Sequence, residues 1–421
     1  MELISGKPFW PTRSGLIRSY PRLTASTTAD VVVIGAGITG ALIADRLTQA
    51  GHSVVVLDQR DVGAGSTSAS TALLQYEIDT PLTELIERYG TESGVGAYQA
   101  CLRAISEVSR LDQELGSAGG FQPRTSLYFA STADELPDLV AEYECRREYG
   151  LPVEYWDAAT FGTRFEFSAP GAIYSKIGGQ VDPYRLAHAL LHRVVERGGR
   201  VYDRTEVAEV DGSTNVMRVL TADGVEIHAR RVVVACGYES QSFLPRPVAT
   251  LHSTYAFVSQ PLSDFVGWYE ECLLWETARP YLYLRTTEDG RLLAGGADLP
   301  FRNTAARDAL LNTKVEQIAD RVRSMFPRLS IDVDFPWTGT FAETDDGLPF
   351  IGPHSERPGM LFALCYGGNG ITYSALAAEM IAAELEGQPH PLADLFAFDR
   401  LPPHSTGIVD SIGAFLKSVS D

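Results

Sequence analysis

The stretch DVVVIGAGITG, which begins at Asp30, constrains the fold more than any other part of the chain. An apolar run rich in β-branched residues leads directly into glycines with GxGxxG spacing, and a helical pattern of apolar residues then continues to Gly51. A second apolar strand, SVVVLD, ends at Asp58. This order of strand, glycine turn, helix, strand and acid is typical of a Rossmann βαβ unit and predicts an α/β fold.

The residues of this unit indicate a dinucleotide site. Gly35 allows the tight turn, Gly37 lets the backbone approach a pyrophosphate, and Gly40 lets the helix pack on the strand. The phosphates are expected at the positive N-terminus of the helix. Asp58 has the spacing of a carboxylate that accepts the ribose hydroxyls, and it would repel a 2'-phosphate. A glycine turn alone can be structural, but here the helix, the second strand and the acid agree with the motif.

Charge and cysteine content narrow the partners and the compartment. The 421 residues suffice for two domains, and the formal net charge of −19 opposes a phosphate backbone, so no nucleic acid partner is expected. Five cysteines without a CxxC motif argue against a disulfide framework and a metal site, which predicts a cytoplasmic location. No apolar run of about 18 residues occurs, so no membrane insertion is expected.

Later segments look like further parts of the same domain. VDPYRLAHALLHRVVERGGRVYD predicts a helix followed by a strand, and HARRVVVACGYES predicts a buried strand that ends at Gly237. GMLFALCYGGNGITYSALAAEMIAAEL predicts a strand, a glycine turn and a long helix. The last turn would place backbone donors at a helix N-terminus, which suits an electron-rich ligand oxygen.

Together these motifs resemble the superfamily of FAD-dependent D-amino-acid oxidases, sarcosine oxidases and glycine oxidases. The resemblance covers most of the chain: VVVIGAGITG with Asp58, the loop GAGSTSAS, the strands VVVACG, YLYLR and GRLLAGGAD, and DGLPFIGP before GGNGIT. It implies a Rossmann-type FAD-binding domain with an inserted substrate domain made of a mostly antiparallel sheet and helices. The loop of small residues at 63–73, which we call the flavin loop, would wrap the isoalloxazine ring with its residues from Gly63 to Thr71. A nicotinamide cofactor would not need this loop.

The resemblance also implies domain boundaries. We expect an N-terminal arm at 1–29, an FAD-binding domain at 30–80, 171–245 and 335–390, a substrate domain at 81–170 and 246–334, and a C-terminal tail at 391–421.

The resemblance implies cofactor-binding residues at the positions of this chain that match the motifs of the family. They fall in the phosphate turn, the ribose and adenosine region, the flavin loop, the adenine strand, two later turns and the start of the last helix: Gly35, Gly37, Ile38, Thr39, Gly40, Asp58, Gln59, Arg60, Gly65, Ser66, Thr67, Ser68, Ala69, Thr71, Ala72, Leu73, Val207, Ala235, Gly237, Gly339, Gly368, Asn369, Gly370, Ile371 and Thr372. Cys236 stands where the family commonly has threonine.

Departures from the family pattern concern the substrate. Glycine and D-amino-acid enzymes place a carboxylate-binding arginine after WxGL, where this chain has Phe341 in WTGTF. The arginine and lysine of sarcosine oxidases correspond to Gln75 and Thr372. A simple α-amino acid therefore lacks its carboxylate clamp, because an unpaired carboxylate in a desolvated pocket is costly. Arg285 could substitute, although a strand arginine is more often structural.

The chain also departs from the family pattern at the positions used for covalent attachment of the flavin and for oxygen activation. The segment 337–341 has no cysteine and the flavin loop no histidine, so we expect FAD to bind non-covalently. The lysine that activates oxygen in sarcosine oxidases is replaced near Leu293, which favours a dehydrogenase. The electron acceptor, oxygen or a carrier, stays open.

Further candidates have ordinary structural interpretations beside the functional ones. The HALLH pair, His188 and His192, lacks the glutamate of HExxH and favours a solvated helix face. One group of acids could attract an ammonium or simply solvate loops: Glu77, Asp79, Glu343, Asp345 and Asp346. Four tyrosines could line the substrate pocket or the core: Tyr255, Tyr281, Tyr283 and Tyr366.

The sequence therefore favours an FAD-dependent oxidoreductase that oxidises a C–N bond of an amine or amino-acid-like small molecule by hydride transfer to flavin N5. The substrate-pocket candidates are Gln75, Tyr255, Tyr283, Arg285 and Phe341. No general base stands out, because the cofactor carries the chemistry. Two alternatives remain: a dehydrogenase of a 2-hydroxy acid or polyol, which GSTSAST encourages, and a non-catalytic flavin-binding subunit.

Overall fold

The computed structural model describes residues 2–388 and 390–400, which form two β-sheets and a layer of helices. The strands are β1 (Ile4–Gly6), β2 (Thr27–Ile34), β3 (Val54–Leu57), β4 (Leu73–Leu74), β5 (Gln122–Phe129), β6 (Val153–Asp157), β7 (Gly171–Gln180), β8 (Arg200–Tyr202), β9 (Val207–Ser213), β10 (Val216–Thr221), β11 (Glu226–Val234), β12 (Thr250–Ser259), β13 (Leu273–Glu276), β14 (Tyr283–Thr286), β15 (Leu292–Pro300), β16 (Val333–Glu343), β17 (Phe350–Pro353) and β18 (Met360–Leu364). The α-helices are α1 (Phe9–Ser14), α2 (Ile38–Gln49), α3 (Ser66–Ala69), α4 (Leu82–Glu114), α5 (Leu136–Glu148), α6 (Ala158–Gly162), α7 (Pro183–Glu196), α8 (Thr304–Ala309), α9 (Leu311–Met325) and α10 (Gly370–Leu385).

The predicted βαβ unit consists of β2, α2 and β3, at the centre of a mostly parallel sheet. This sheet has the order β17-β18-β11-β2-β3-β8, and a hairpin of β9 and β10 pairs with β11. Val31 and Val33 face helices α2, α4, α7 and α10, whereas Val32 and Ile34 face the side that carries the hairpin. Both faces are therefore covered, which explains why the β2 sequence is apolar without alternation.

The second sheet is mostly antiparallel. Its order is β1-β16-β12-β15-β14-β13-β5-β7-β4, with β6 added to β7, and among its described strands only the β13–β5 pair is parallel. One face packs on α9, where Val315, Ile318 and Val322 contact Tyr255 and Phe257. We call the opposite face, which is turned towards the parallel sheet, the inner face. The predicted fold class, an α/β fold with a second, mostly antiparallel sheet, is confirmed.

Strand pairing and helix packing divide the chain differently from the predicted boundaries at three places. The ranges 171–180 and 335–343 were grouped with the FAD-binding domain, but β7 and β16 pair in the antiparallel sheet. Helix α4, which was grouped with the substrate domain, packs on α10 beside the parallel sheet. The reason is that a strand leaving one sheet can enter the other without a loop that the sequence would reveal. The domain boundaries stay a prediction.

Both ends of the described part of the chain pack on this framework. In the predicted arm, β1 pairs with β16, and Phe9 and Trp10 are buried against Val258 and Leu293 of the inner face. Near the C-terminus, Arg400 forms an ion pair with Asp346, while 401–421 of the predicted tail lie outside the described residues. None of the described helices combines the length and the apolar character needed to cross a bilayer.

A buried ion pair joins α4 to α5. Glu142 on α5 accepts hydrogen bonds from the backbone nitrogens of Leu82 (2.8 Å) and Thr83 (3.0 Å), so it caps the N-terminus of α4. The same carboxylate accepts from Nε of Arg146 at 2.7 Å, and both side chains are almost completely buried. The Arg146 guanidinium lies 5.4 Å from the ring centroid of Tyr98. Attraction by Arg146 and these amides lowers the pKa of Glu142 in spite of its burial.

This pair gives a stability prediction. We expect Glu142→Ala to lower the free energy of unfolding by about 3–5 kcal/mol, because it leaves Arg146 buried and unpaired and removes the α4 cap. Glu144, on the same helix, pairs with Arg147 at the surface, so Glu144→Ala should cost less than about 0.5 kcal/mol. Chemical denaturation of both variants measures the difference, and equal losses would show that the buried pair has no special role.

Candidate active site

A cavity of about 1120 Å³ extends from the carboxyl ends of β2 and β3 to the inner face of the antiparallel sheet. In open parallel sheets this end of the strands is where ligands bind. One end is bordered by Asp58 and Val207, the middle by the glycine turn after β2, and the other end by Tyr283 and Phe341. The lining therefore includes residues of the phosphate turn, the ribose and adenosine region and the flavin loop that the sequence assigns to a dinucleotide.

The glycine turn adopts a backbone that side chains would obstruct. Gly35 has φ of +112°, and a Cβ there would lie 2.4 Å from the carbonyl oxygen of Ala235. A Cβ on Gly37 would lie 2.9 Å from Oγ1 of Thr67, and one on Gly40 would lie 1.9 Å from the carbonyl oxygen of Gly35. Gly40 does not line the cavity, so it serves the close packing of α2 on the turn.

Asp58 lies in the cavity wall, held by the backbone. Oδ2 accepts from the Ala36 nitrogen at 2.7 Å, and Oδ1 accepts from the Arg60 nitrogen at 2.8 Å. Burial raises the pKa of Asp58 to about 6, although both amides lower it. Each carboxylate oxygen accepts more than one hydrogen bond, so Asp58 keeps capacity for ribose hydroxyls. Arg60, beside it, forms an ion pair with Glu239 at 2.8 Å.

The loop of small residues after β3, residues 63–73, is fixed by groups from other elements. Trp337 Nε1 donates to the Ala69 carbonyl oxygen (2.9 Å), and Trp10 Nε1 donates to the Ser70 carbonyl oxygen (2.7 Å). Thr67 Oγ1 accepts a hydrogen bond from the backbone nitrogen of Ile38 at 2.9 Å, so this loop caps the N-terminus of α2. The flavin loop thus joins the glycine turn after β2 to the inner face of the antiparallel sheet.

The turn before α10 is tied to an extended segment at 75–79. The Asn369 side-chain amide donates to the carbonyl oxygens of Gln75 (3.0 Å) and Glu77 (2.8 Å). The Gly368 nitrogen donates to Oδ2 of Asp79 at 2.8 Å. Thr372 is buried, and its hydroxyl donates to the Gln75 carbonyl at 3.2 Å. The turn and the segment therefore form one rigid part of the cavity wall.

Most of the predicted cofactor residues line this cavity. They are Gly35, Gly37, Ile38, Thr39, Asp58, Gln59, Arg60, Gly65, Ser66, Thr67, Ala69, Thr71, Ala72, Leu73, Val207, Ala235, Gly237, Gly339, Gly368, Asn369, Gly370 and Ile371. Three others, Gly40, Ser68 and Thr372, lie behind the wall. Ser68 donates to the Gly65 carbonyl at 2.8 Å, so it shapes the flavin loop from within.

Of the five substrate-pocket candidates, Gln75, Tyr283 and Phe341 line the cavity. Tyr255 does not, because strand alternation turns it to the opposite face of β12, where its hydroxyl donates to the Arg307 carbonyl at 3.3 Å. Arg285 is buried behind the flavin loop and also lies outside the cavity wall. These two side chains thus occupy positions that support the fold.

Arg285 holds the flavin loop. Its Nη1 donates to the Ala72 carbonyl oxygen at 2.7 Å and to that of Val181 at 3.3 Å, and its guanidinium lies 5.0 Å from the ring centroid of Trp10. Ala72 has φ of +53°, which non-glycine residues rarely adopt. Burial lowers the pKa of Arg285 to about 9. The arginine therefore stabilises an uncommon loop conformation.

The acids and the remaining tyrosines of the sequence analysis separate into two groups. Glu77, Asp79 and Tyr281 line the cavity, and the Tyr281 hydroxyl donates to Oδ1 of Asp79 at 3.3 Å. The others lie elsewhere: Glu343 beside His252, Asp345 at the surface, Asp346 against Arg400, and Tyr366 donating to the Gly237 carbonyl.

The two histidines of HALLH differ in their exposure to solvent. His192 is exposed beside Glu196, as a solvated face requires, but His188 is buried with its ring centroid 4.6 Å from that of Tyr184. Burial lowers the pKa of His188 to about 4. Among the described residues no group of three or more candidate ligands is arranged to hold a metal ion.

Thr254, Trp275 and Asp298 are among the residues of the cavity wall that sequence reasoning did not single out. Trp275 stacks on Tyr128, with ring centroids 3.9 Å apart, on the inner face. Asp298 follows the pair Gly295 and Gly296 within β15, and paired glycines in a strand are a signal for a bulge. That signal could have indicated a side chain redirected at this point.

Comparisons with known proteins agree with this geometry. A family model for DAO, FAD dependent oxidoreductase, matches residues 30–384. Glycine oxidase of Geobacillus kaustophilus (strain HTA426) is 26% identical over 405 residues, which cover 91% of this chain and 98% of that protein. Gamma-glutamylputrescine oxidoreductase of Escherichia coli (strain K12) is 28% identical over 404 residues, which cover 91% and 89%. The crystal structure of the Geobacillus kaustophilus glycine oxidase matches with a TM-score of 0.74 at 23% identity, over 89% of this chain and 99% of that one.

The residues present fit the cofactor of that family. The turn at Gly35 and Gly37 leaves no room for a Cβ, α2 presents its N-terminus to the cavity, and Asp58 has acceptor capacity at the adjoining end. The cavity continues past the flavin loop, which provides space for a ring system beyond the pyrophosphate. The chain therefore belongs to the DAO family of FAD-dependent oxidoreductases.

Proposed function

We propose that this protein oxidises the C–N bond of an amine that lacks an α-carboxylate. When bound, FAD would accept a hydride at N5 from the carbon next to a neutral amine nitrogen, which leaves an imine that water hydrolyses. The observation that carries this proposal is the composition of the cavity end beyond the flavin loop. There Phe341, aromatic rings and carboxylates form the wall where amino-acid enzymes of the family have a carboxylate-binding arginine.

Residues of three regions would hold FAD. The amides of the glycine turn and the N-terminus of α2 would bind the pyrophosphate, and Asp58 would accept the ribose hydroxyls. Val207 would border the adenine. The flavin loop and the turn at 368–371 would enclose the isoalloxazine ring, and the N-terminus of α10 would favour negative charge on it.

The far end of the cavity suits an amine for electrostatic and steric reasons. Tyr283 lies across β15 at Gly295, where a Cβ would be 2.3 Å from its hydroxyl oxygen, so the strand backbone is shielded by the ring. Phe341 stacks on His252 with ring centroids 5.3 Å apart. Two of the described arginines lie near this end, Arg302 in the cavity lining and Arg279 close enough to Asp298 to lower its pKa, and both are exposed. A substrate carboxylate would have to pair with one of these exposed arginines, whereas an amine without a carboxylate can enter the far end of the cavity.

The residues that line the cavity beyond the flavin loop also argue against the two alternative substrates, a 2-hydroxy acid and a polyol. A 2-hydroxy acid would place its carboxylate beside Asp79 and Asp298, and like charges repel in a desolvated site. A polyol would leave these carboxylates without a counter-ion. Anaerobic titration of the isolated chain with amines, amino acids and hydroxy acids, followed by flavin bleaching, distinguishes these substrates. Reduction by hydroxy acids alone would reject the proposal, and an absence of reduction by all three would favour a non-catalytic subunit.

We expect FAD to be released by acid precipitation. The two thiols in the cavity wall, Cys236 and Cys365, have pKa values that burial raises to about 12, so neither supplies a thiolate for attachment. The yellow colour should therefore move to the supernatant, where absorbance spectroscopy measures it. Colour that stays with the precipitated protein would contradict non-covalent binding.

Asp58→Ala should weaken FAD binding by about 1–3 kcal/mol, because it removes one partner of a buried, charged hydrogen bond. Equilibrium titration of the apoprotein with FAD, followed by flavin fluorescence, gives the affinity. Asp61→Ala is a matched control, since Asp61 is half-exposed and pairs with the exposed Arg204. If the two variants bind FAD equally well, Asp58 does not contact the ribose.

Phe341→Arg should shift the preference from amines towards α-amino acids by supplying a bidentate partner for the carboxylate. The ratio of flavin reduction rates, glycine or D-alanine against n-butylamine, should rise about tenfold or more, which corresponds to about 1.4 kcal/mol. Stopped-flow reduction of folded, flavin-loaded protein measures it, because an unpaired arginine also destabilises the free protein. Phe341→Met should leave the ratio unchanged. Rapid reduction of the wild type by a simple α-amino acid would contradict the proposal.

A further inference from the structure

A β-bulge turns Asp298 into the cavity. In the β12–β15 ladder, Ser253 pairs with Leu299 and Tyr255 pairs with Gly296, so β15 has one residue more than β12 between these pairs. Ala297, in this interval, has φ of +56°, and Gly296 has φ of +141°. Bulges of this kind redirect side chains and occur often beside active sites. The bulge places Asp298 in the cavity wall beside Thr254.

Asp298 is half-buried, and its carboxyl group lacks a full set of partners. Its Oδ1 is buried and receives no hydrogen bond from any described residue, although other parts of the residue border the cavity. Burial raises the pKa of Asp298 to about 7; the neighbouring Thr254 hydroxyl lowers it, the charges of Asp79 and Glu343 raise it, and the charge of Arg279 lowers it. A buried carboxylate without a partner is costly, so a ligand cation at this position would be stabilised.

The surroundings of Asp298 favour a cation. Asp79 lines the same end of the cavity and is held by Tyr281 and the Gly368 nitrogen. The nearby cation, Arg279, is exposed, and its Nη1 donates to backbone carbonyls of 276–278 at 3.3 Å. The rings of Trp275, Tyr281 and Tyr283 also border this end, and aromatic faces attract cations.

We propose that Asp298, together with Asp79, forms a subsite for a cationic group of the substrate that is separate from the amine being oxidised. This inference rests on the proposed amine oxidation and narrows its substrate class. Preferred substrates are then amines that carry a second amino or guanidino group, such as diamines. The second group stays protonated on the subsite while the reacting nitrogen is neutral.

The test compares two probes of equal chain length, 1,4-diaminobutane and n-butylamine, with the flavin-loaded enzyme under anaerobic conditions. Dissociation constants come from the concentration dependence of the flavin absorbance change. We expect the wild type to bind the diamine about tenfold or more tightly, and Asp298→Asn to lose this preference while its affinity for n-butylamine stays within about twofold. Asp298→Ser is a second variant that also removes the charge. Asp320→Asn, the same change on the exposed face of α9, should keep the preference.

The possible outcomes test the cation subsite and the proposed amine oxidation separately. Equal affinity of the wild type for both probes, or a diamine preference that persists in both Asp298 variants, would overturn the subsite even if both probes reduce the flavin. Diamine binding that depends on Asp298 and perturbs the flavin spectrum without reducing it would support the subsite and reject amine oxidation. Reduction by the diamine with an Asp298-dependent dissociation constant supports both.

Discussion

The architecture depends on how the carbonyl groups of the flavin loop are satisfied. Ala69, Ser70 and Ala72 each present a carbonyl oxygen that is held by a side chain from a distant element: Trp337, Trp10 and Arg285. Buried carbonyls that lose their partners cost about 1–3 kcal/mol each, so these bonds fix the loop strongly. Since the loop leaves β3 and the three donors lie on or against the inner face, the same bonds set the spacing of the two sheets and therefore the width of the cavity.

Charge is distributed unevenly around that cavity. Arg285, a buried cation whose described hydrogen bonds go to carbonyls, lies behind the flavin loop, whereas carboxylates line the end beyond it. A positive charge near a bound flavin favours uptake of electrons, and carboxylates favour a cationic substrate. In the proposed reaction the protein would thus contribute orientation and electrostatics, and bound FAD would take up the electrons of the substrate.

Sequence pattern and observed position agree where the pattern is local. The glycine turn, Asp58 and the flavin loop were recognisable because each depends on neighbouring residues: a positive φ, a missing Cβ, a strand end. The sequence pattern did not show that Tyr255 lies outside the cavity lining, since a one-residue offset along β12 decides which face of the sheet a side chain occupies. Arg285 carried no local signal of its partner either, because the carbonyl of Ala72 is more than 200 positions away in the chain.

Two kinds of information are therefore combined in this site. The order of strands and helices and the position of the dinucleotide turn follow from the sequence, because hydrophobic periodicity and glycine placement act within a few residues. The cap that Thr67 places on α2 and the direction of Asp298 required the folded chain. Both depend on the register and bulges of strands that meet over long sequence separations, and pairing of that kind is decided only when the two sheets pack together.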